Sequence, residues 1–102
     1  MNSSGWLRTI MAVNMKEEEF LMKICDTMGR EFESKVTVLN IMENEYLIIF
    51  KKYSTIINKE MIGSLKGPIG PYRLDKYILN DFKIQGFNFD KERSQYISNV
   101  YL

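Results

Sequence analysis

Two segments rich in β-branched and aromatic residues decide the fold predicted for this chain of 102 residues: KVTVLNI at residues 35–41 and YLIIF at residues 46–50. Side chains of these types favour strands. Glu43, Asn44 and Glu45 lie between the segments and predict a turn, so the pair is expected to form a β-hairpin. The second segment is apolar on both of its faces. We therefore expect it to be central in its sheet, or to face a partner on one side.

The residues before the hairpin have the periodicity of an amphipathic helix, predicted over residues 15–32. Asn14 is placed to cap its N-terminus, and Glu17, three residues later, completes a capping-box pair. Acidic residues in the first turn suit the positive end of the helix dipole. The apolar residues recur at spacings of three and four, which puts them on one face: Phe20, Leu21, Ile24, Cys25, Met28 and Phe32.

A second helix is predicted after the hairpin, at residues 55–66. Ser54 is a suitable N-cap, and Gly67 followed by Pro68 is a typical helix stop. The positions expected to point inward are Ile56, Ile57, Met61 and Leu65.

The C-terminal third has two interpretations. Residues 82–84 and 87–89 alternate as strands do, and residues 95–101 can pair with them after a turn at residues 90–93. A terminal helix capped by Asp90 fits the same residues. Upstream, a helix would bring four apolar residues together: Leu74, Tyr77, Ile78 and Phe82.

If residues 8–13 form a strand, the order through residue 66 is strand, helix, strand, strand, helix. This order begins the ferredoxin-like, split βαβ pattern, in which two helices pack on one face of an antiparallel sheet. We predict an α+β fold of this kind in a single domain over residues 1–102, with disorder allowed at residues 1–5. Many unrelated functions use this architecture, so the fold identifies no activity.

The composition argues against catalysis, because the chain has no histidine and one cysteine, Cys25. Histidine is the commonest general base and metal ligand. Cys25 lies in the apolar stripe of the first helix and is expected to pack as a small hydrophobe. The net charge of +1 is too small to indicate polyanion binding by itself. No secretion signal and no membrane span is recognised, so we expect a cytoplasmic location.

The routes to chemistry that avoid histidine each have a better structural interpretation. Ser64 and Lys66 stand two residues apart and match no catalytic motif. Residues 17–19 are acidic but point in different directions on a helix. Residues 63–70 lack the Gly-Lys-Ser/Thr ending of a phosphate loop. We therefore predict no enzymatic activity, no bound cofactor and no metal.

Nucleic-acid binding is the alternative function. Lysines in the middle of the chain could neutralise phosphates, and the interleaved tyrosines could stack on bases. Against this hypothesis, residues 45–51 lack the glycines and the aromatic spacing of RNA-binding sheets. The candidate contacts are Lys51, Lys52, Tyr53, Lys59, Arg73 and Lys76.

Protein association is the preferred function, in an interaction or regulatory protein that can form a homodimer. Methionine gives an adaptable apolar surface, tryptophan and tyrosine are frequent at interfaces, and an exposed edge strand can pair with another chain. The candidate interface residues lie near the two ends of the chain: Trp6, Leu7, Met11, Met15, Tyr96 and Tyr101.

Overall fold

The computed structural model describes residues 3–67 and 70–102. Within these ranges the chain forms five helices and three strands. In chain order they are α1 (Ser3–Asn14), α2 (Glu17–Glu31), β1 (Val36–Met42), β2 (Glu45–Phe50), β3 (Tyr53–Asn58), α3 (Lys59–Leu65), α4 (Arg73–Ile84) and α5 (Gln95–Val100). The fold is α+β, as predicted.

The strands form a three-stranded antiparallel sheet in the order β1-β2-β3. The predicted hairpin is confirmed, and β2 has the expected central position. Glu43 and Asn44 connect β1 to β2, and Lys51 and Lys52 connect β2 to β3. Each turn contains a residue in the left-handed region, Asn44 at φ 65° and Lys51 at φ 54°, as short hairpin turns require.

The core lies between one face of the sheet and the helices. Burial alternates along β2 and β3, so one side of the sheet is buried and the other is not. We call the buried side the inner sheet face, and its residues are Val36, Val38, Tyr46, Ile48, Phe50, Tyr53, Thr55 and Ile57. Helices α2, α3 and α4 contact the strands and supply much of the remaining core: Phe20, Ile24, Met28, Ile62, Ile78 and Phe82.

Helix α2 confirms the helix predicted at residues 15–32, but its N-terminal cap differs. Its five buried residues all lie on the predicted face. The N-cap residue is Lys16, which makes no side-chain capping bond. Asn14 cannot cap α2, because it is the last residue of α1. The acidic residues 17–19 occupy the first turn, where the helix dipole favours them.

Residues 8–13 belong to α1, so the strand predicted there is wrong. Arg8 and Ala12, four residues apart and therefore on one side of the helix, are buried. Arg8 is buried because it pairs with Asp75, a long-range contact that the local sequence pattern does not contain. Without a strand before α2, the ferredoxin-like arrangement is not confirmed, and the described residues form three consecutive strands.

Strand β3 occupies the first positions of the helix predicted at residues 55–66. The N-cap of α3 is Asn58 instead of Ser54. The Asn58 side chain accepts a hydrogen bond of 2.7 Å from a backbone N–H in the first turn of α3. The helix ends before Gly67, as predicted, while Pro68 of the predicted stop lies outside the described residues.

Burial along β3 explains why a strand replaces this part of the helix. Thr55 and Ile57 point to the inner sheet face, and Ile56 points away from it. Residues 55–57 are β-branched and directly follow the hairpin, so pairing with β2 stabilises them more than a helical turn would. Ile56, expected to point inward, is therefore 55% exposed, whereas Met61 and Leu65 pack partly against the core as expected.

The C-terminal third is helical, so the strand interpretation of residues 82–84 and 95–101 is wrong. Helix α4 buries three of the four apolar residues expected on one helical face: Leu74, Ile78 and Phe82. The N-cap of α5 is Ser94 instead of Asp90, and its hydroxyl accepts the backbone N–H of Ile97 at 3.1 Å.

Residues 87–89 have no regular secondary structure and are not a strand. Phe87 and Phe89 contact the ring of Phe32, and Phe87 also contacts Phe50, with ring centroids 5.0–5.3 Å apart. Aromatic packing against the inner sheet face, and not strand pairing, explains why apolar residues alternate here.

Candidate interaction surfaces

The side of the sheet opposite the core presents two rows of side chains that run across all three strands. The first row is Leu39, Leu47 and Ile56, and the second is Thr37, Ile49 and Ser54. We call these six residues the outer sheet face. Side chains in one row are cross-strand neighbours and lie within contact distance. The apolar members therefore form one contiguous patch.

The patch is substantially exposed to solvent. Leu39 is 46% exposed, Ile56 is 55% exposed, and Met42 at the end of β1 is 65% exposed. Ile57, which follows Ile56 on the inner side of β3, is 1% exposed. Contiguous exposed apolar residues mark an interaction surface more often than scattered ones do.

Opposite charges border the two ends of the outer sheet face. Lys35 precedes β1, and Lys51 and Lys52 form the adjacent β2–β3 turn. At the other end, Glu43 and Glu45 flank the β1–β2 turn. We call these ends the basic band and the acidic band. The surface therefore runs from a basic band through the mixed row of Thr37, Ile49 and Ser54 and the apolar row of Leu39, Leu47 and Ile56 to an acidic band.

The edge of the sheet at β3 is closed by one side chain. Gln85, the C-cap residue of α4, donates a hydrogen bond from Nε2 to the backbone oxygen of Ser54 at 2.7 Å. Its Oε1 accepts the Ser54 N–H at 3.2 Å. The Gln85 amide makes the two hydrogen bonds that a neighbouring strand would make to Ser54, so strand pairing is blocked at this position of the edge.

The edge at β1 is open. Ser54 directs its N–H and C=O away from β2, and in an antiparallel ladder this direction alternates from residue to residue. Ser54 is in register with Ile49, and Ile49 with Thr37, so the N–H and C=O groups of Thr37 point toward β2. The N–H and C=O groups of β1 that point away from the sheet therefore belong to Val36, Val38 and Asn40. Within the part of the chain that the structure describes, no hydrogen-bond partner is found for them.

A groove of about 580 Å³ runs beside this open edge, between β1 and α2. Met22, Cys25 and Gly29 line it from α2, and Val36 and Val38 line it from β1. The two valines belong to the inner sheet face but are only partly buried. They remain accessible because no strand continues the sheet beyond β1.

The N-terminal part of the predicted interface lies on α1. Trp6 and Leu7 are exposed there, whereas Met11 and Met15 pack partly against the core. Trp6 also lines a groove of about 520 Å³ at the start of α4. The structure therefore leaves only the first two of these four residues well exposed.

The C-terminal part of the predicted interface has partners within the chain. The Tyr96 hydroxyl donates a hydrogen bond to Asp75 Oδ2 at 2.5 Å. The Tyr101 hydroxyl donates to Asn80 Oδ1 at 2.9 Å. These contacts attach α5 and the residue after it to α4, which is a role within the fold.

Arg8, Asp75 and Tyr96 form a buried polar cluster between α1, α4 and α5. The Arg8 guanidinium also lies over the ring of Tyr72, 4.5 Å from its centroid. Burial raises the pKa of the Asp75 carboxyl, and the nearby Arg8 charge opposes this rise. Burial and the Asp75 charge raise the pKa of Tyr96. The groups satisfy one another, so the cluster holds α1 in place.

The predicted nucleic-acid contacts are divided among three places. Lys51, Lys52 and Tyr53 are at one end of β3, Lys59 follows its other end, and Arg73 and Lys76 are on α4. The ring of Tyr53 is buried near that of Phe82, so it is not presented to a base. Nucleic-acid binding by these residues stays a prediction.

Cys25 is buried, as expected, and burial raises the pKa of its thiol to about 12. Among residues 3–67 and 70–102, no group of three or more acidic or cysteine side chains is placed to hold a metal ion. None of the helices in these ranges has the length and apolar character needed to cross a membrane.

Sequence reasoning did not identify the outer sheet face or the role of Gln85. A signal for the outer face was present, because residues 46–50 are apolar on both sides. Gln85 carries no such signal, since its partner is a backbone group 31 residues away.

Comparisons of the chain with models of protein families, with curated proteins and with solved structures found no match. The argument about function therefore rests on the surfaces of the molecule. The outer sheet face and the open edge of β1 belong to the same sheet and lie side by side.

Proposed function

We propose that this protein is a non-enzymatic association domain that pairs with a second copy of itself through the outer sheet face. The observation that carries the proposal is the order of chemistry along that face: a basic band, a mixed row around Ile49, an apolar row of Leu39, Leu47 and Ile56, and an acidic band. Burial of the apolar side chains supplies the driving force, and the charged bands select the partner and its orientation.

The charged bands favour one arrangement of the two copies. When the twofold axis lies between the faces and perpendicular to the strands, the basic band of each copy meets the acidic band of the other. When the axis is parallel to the strands, like charges meet, which is unfavourable. The favoured axis runs along the line of Val38, Ile48 and Thr55. It lays the row of Leu39, Leu47 and Ile56 of each copy on the row of Thr37, Ile49 and Ser54 of the other.

The size of the face predicts a weak contact. Three strands at a spacing of about 4.8 Å, and five residues at about 3.3 Å each, give a face of roughly 14 Å by 17 Å. Specific interfaces usually bury more surface than two such faces provide. We therefore expect the dissociation constant of this contact to be micromolar or higher.

Molecular mass tests the proposal by sedimentation equilibrium over a series of protein concentrations. Ile56→Lys places a charge at the β3 end of the apolar row and is expected to weaken the contact at least tenfold. The matched control is Ile84→Lys, because Ile84 is 84% exposed on α4 and lies outside the outer sheet face. A monomeric natural protein at millimolar concentration, or equal effects of the two substitutions, would contradict the proposal.

Charge reversal tests the orientation. The variant Glu43→Lys/Glu45→Lys has two basic ends, and the variant Lys35→Glu/Lys52→Glu has two acidic ends. Each is expected to associate more weakly than the natural protein at low salt, and their equimolar mixture is expected to recover association as a mixed pair. A mixture that associates no better than either variant alone would rule out the opposed arrangement.

A further inference from the structure

We infer that the open edge of β1 pairs antiparallel with β1 of another copy, centred on Val38, so that two sheets become one of six strands. This inference rests on the proposed self-association and adds a second, separate contact to it. The outer sheet face remains available in such a pair, because the twofold axis of edge pairing is normal to the sheet.

The backbone groups of β1 are arranged for pairing with themselves. Antiparallel pairing centred on Val38 sets Val38 against Val38 of the second copy, and Val36 against Asn40. These are the three residues whose N–H and C=O groups point outward from the sheet. In this register every N–H and C=O group that points away from the sheet in residues 36–40 has a hydrogen-bond partner. A register shifted by one residue would leave these groups without partners.

The pairing segment ends at an irregularity in the strand. The β1–β2 register shifts between Asn40 and Met42, which leaves Ile41 unpaired with β2. A bulge interrupts the regular ladder and turns the edge away. The shift lies immediately beyond the five residues that the proposed pairing uses, so it bounds the contact without interrupting it.

The groove beside β1 provides room for the second copy. Its α2 wall includes Gly29, where a close approach within the chain requires glycine, because an added Cβ would lie 3.1 Å from the backbone oxygen of Ser34 and 3.4 Å from the nitrogen of Val36. Met22, seven residues earlier on the same wall, is half exposed. Edge pairing runs the two α2 helices antiparallel, so Met22 of one copy approaches the glycine end of the other.

The two contacts are compatible in one closed assembly. The edge axis passes through the level of Val38, and the face axis proposed above runs along the line of Val38, Ile48 and Thr55. The two axes are perpendicular and intersect at this level. Together they define an assembly of four copies with dihedral symmetry, in which two six-stranded sheets pack face to face. At the other edge of each sheet Gln85 occupies the outward groups of Ser54, which opposes further extension of the sheets there.

Val38→Pro tests the edge contact. Proline removes an outward N–H that β2 does not use, so the hairpin is expected to survive. Val38→Thr is the matched control, because threonine is also β-branched and keeps the N–H. Circular dichroism checks that each variant is folded. We expect Val38→Pro to raise the concentration at which the edge contact dissociates at least tenfold, and Val38→Thr to leave it within threefold.

The masses of five proteins, the natural protein and four variants, separate this inference from the proposed function. We expect four copies for the natural protein, two for Ile56→Lys, two for Val38→Pro and one for the variant with both substitutions. If Val38→Pro has the same mass as Val38→Thr while Ile56→Lys lowers the mass, the edge inference is wrong. If only Val38→Pro lowers it, the outer-face proposal is wrong. A monomeric natural protein at millimolar concentration overturns both.

Amide hydrogen exchange provides a readout that needs no proline. In the Ile56→Lys protein, the amides of Val38 and Asn40 are expected to exchange quickly when dilute and at least tenfold more slowly when concentrated. The amide of residue 56 is the internal control, since its N–H points out of the β3 edge. Exchange of Val38 and Asn40 that is independent of concentration would overturn the inference.

Discussion

The two faces of the sheet are built from similar residues, yet only one of them is covered. Ile56 and Ile57 are neighbours in β3, and their side chains are 55% and 1% exposed. Helices α2, α3 and α4 supply the layer over the inner sheet face. The comparison teaches that the position of the helices, and not the hydrophobicity of the strands, decides which side becomes core.

Charged side chains occupy two different settings in this protein. The outer sheet face is bordered by lysines and glutamates that water can solvate. Between α1, α4 and α5, Asp75 is fully buried and is balanced by Arg8 and by the hydroxyl of Tyr96. Removal of a charged side chain is therefore expected to lower the free energy of unfolding much more in the buried cluster than at the border of the outer sheet face.

The largest effect is expected when the buried pair is broken. Asp75→Ala leaves the Arg8 charge without its carboxylate, and we expect the free energy of unfolding to fall by about 3–5 kcal/mol. The control is Asp26→Ala, which breaks an exposed pair with Arg30 and is expected to cost less than about 0.5 kcal/mol. Urea unfolding measures both. Equal losses would show that Asp75 is not buried with Arg8.

The second-largest effect is expected when the same change, isoleucine to alanine, is made on each face of the sheet. Ile57→Ala removes buried methyl groups and is expected to lower the free energy of unfolding by about 2–5 kcal/mol. Ile56→Ala is expected to change it by less than about 1 kcal/mol, because the side chain is largely solvated. Both are measured by urea unfolding at a concentration that keeps the protein monomeric. Similar losses at the two positions would mean that the outer sheet face is covered.

The smallest effect concerns the closed edge. Gln85→Ala removes both side-chain bonds to Ser54, and we expect a loss of about 1 kcal/mol and faster exchange of the Ser54 amide. Gln95→Ala is the control, since Gln95 bonds to Asn99 on the exposed side of α5. If the Ser54 amide keeps its protection in Gln85→Ala, another group closes this edge.

The sequence predicted the elements whose pattern is complete within one segment. The apolar stripe of α2 and the strands of the hairpin were identified because each repeats its own period over several residues. The strand predicted at residues 8–13 is wrong, because the burial of Arg8 depends on the distant Asp75. The helix predicted at residues 55–66 is confirmed over Lys59–Leu65 only, because the preceding residues pair with β2.

The candidate surfaces divide in the same way. The apolar character of residues 46–50 on both faces predicted that this strand is central in its sheet or faces a partner on one side. The interface residues predicted from the sequence lie near the two ends of the chain. At the C-terminal end, Tyr96 and Tyr101 instead form hydrogen bonds with residues of α4. Long-range hydrogen bonds of this kind leave no periodic signal in the sequence.

The sequence by itself determined the α+β class, the helix α2, the hairpin and the central position of β2, because side-chain periodicity and turn residues act over a few neighbouring positions. Only the tertiary structure decided which face of the sheet is covered, which edge Gln85 closes and which edge remains open. Those outcomes depend on groups that meet across 31 residues or more. Their meeting is fixed by how the helices pack and not by any local pattern.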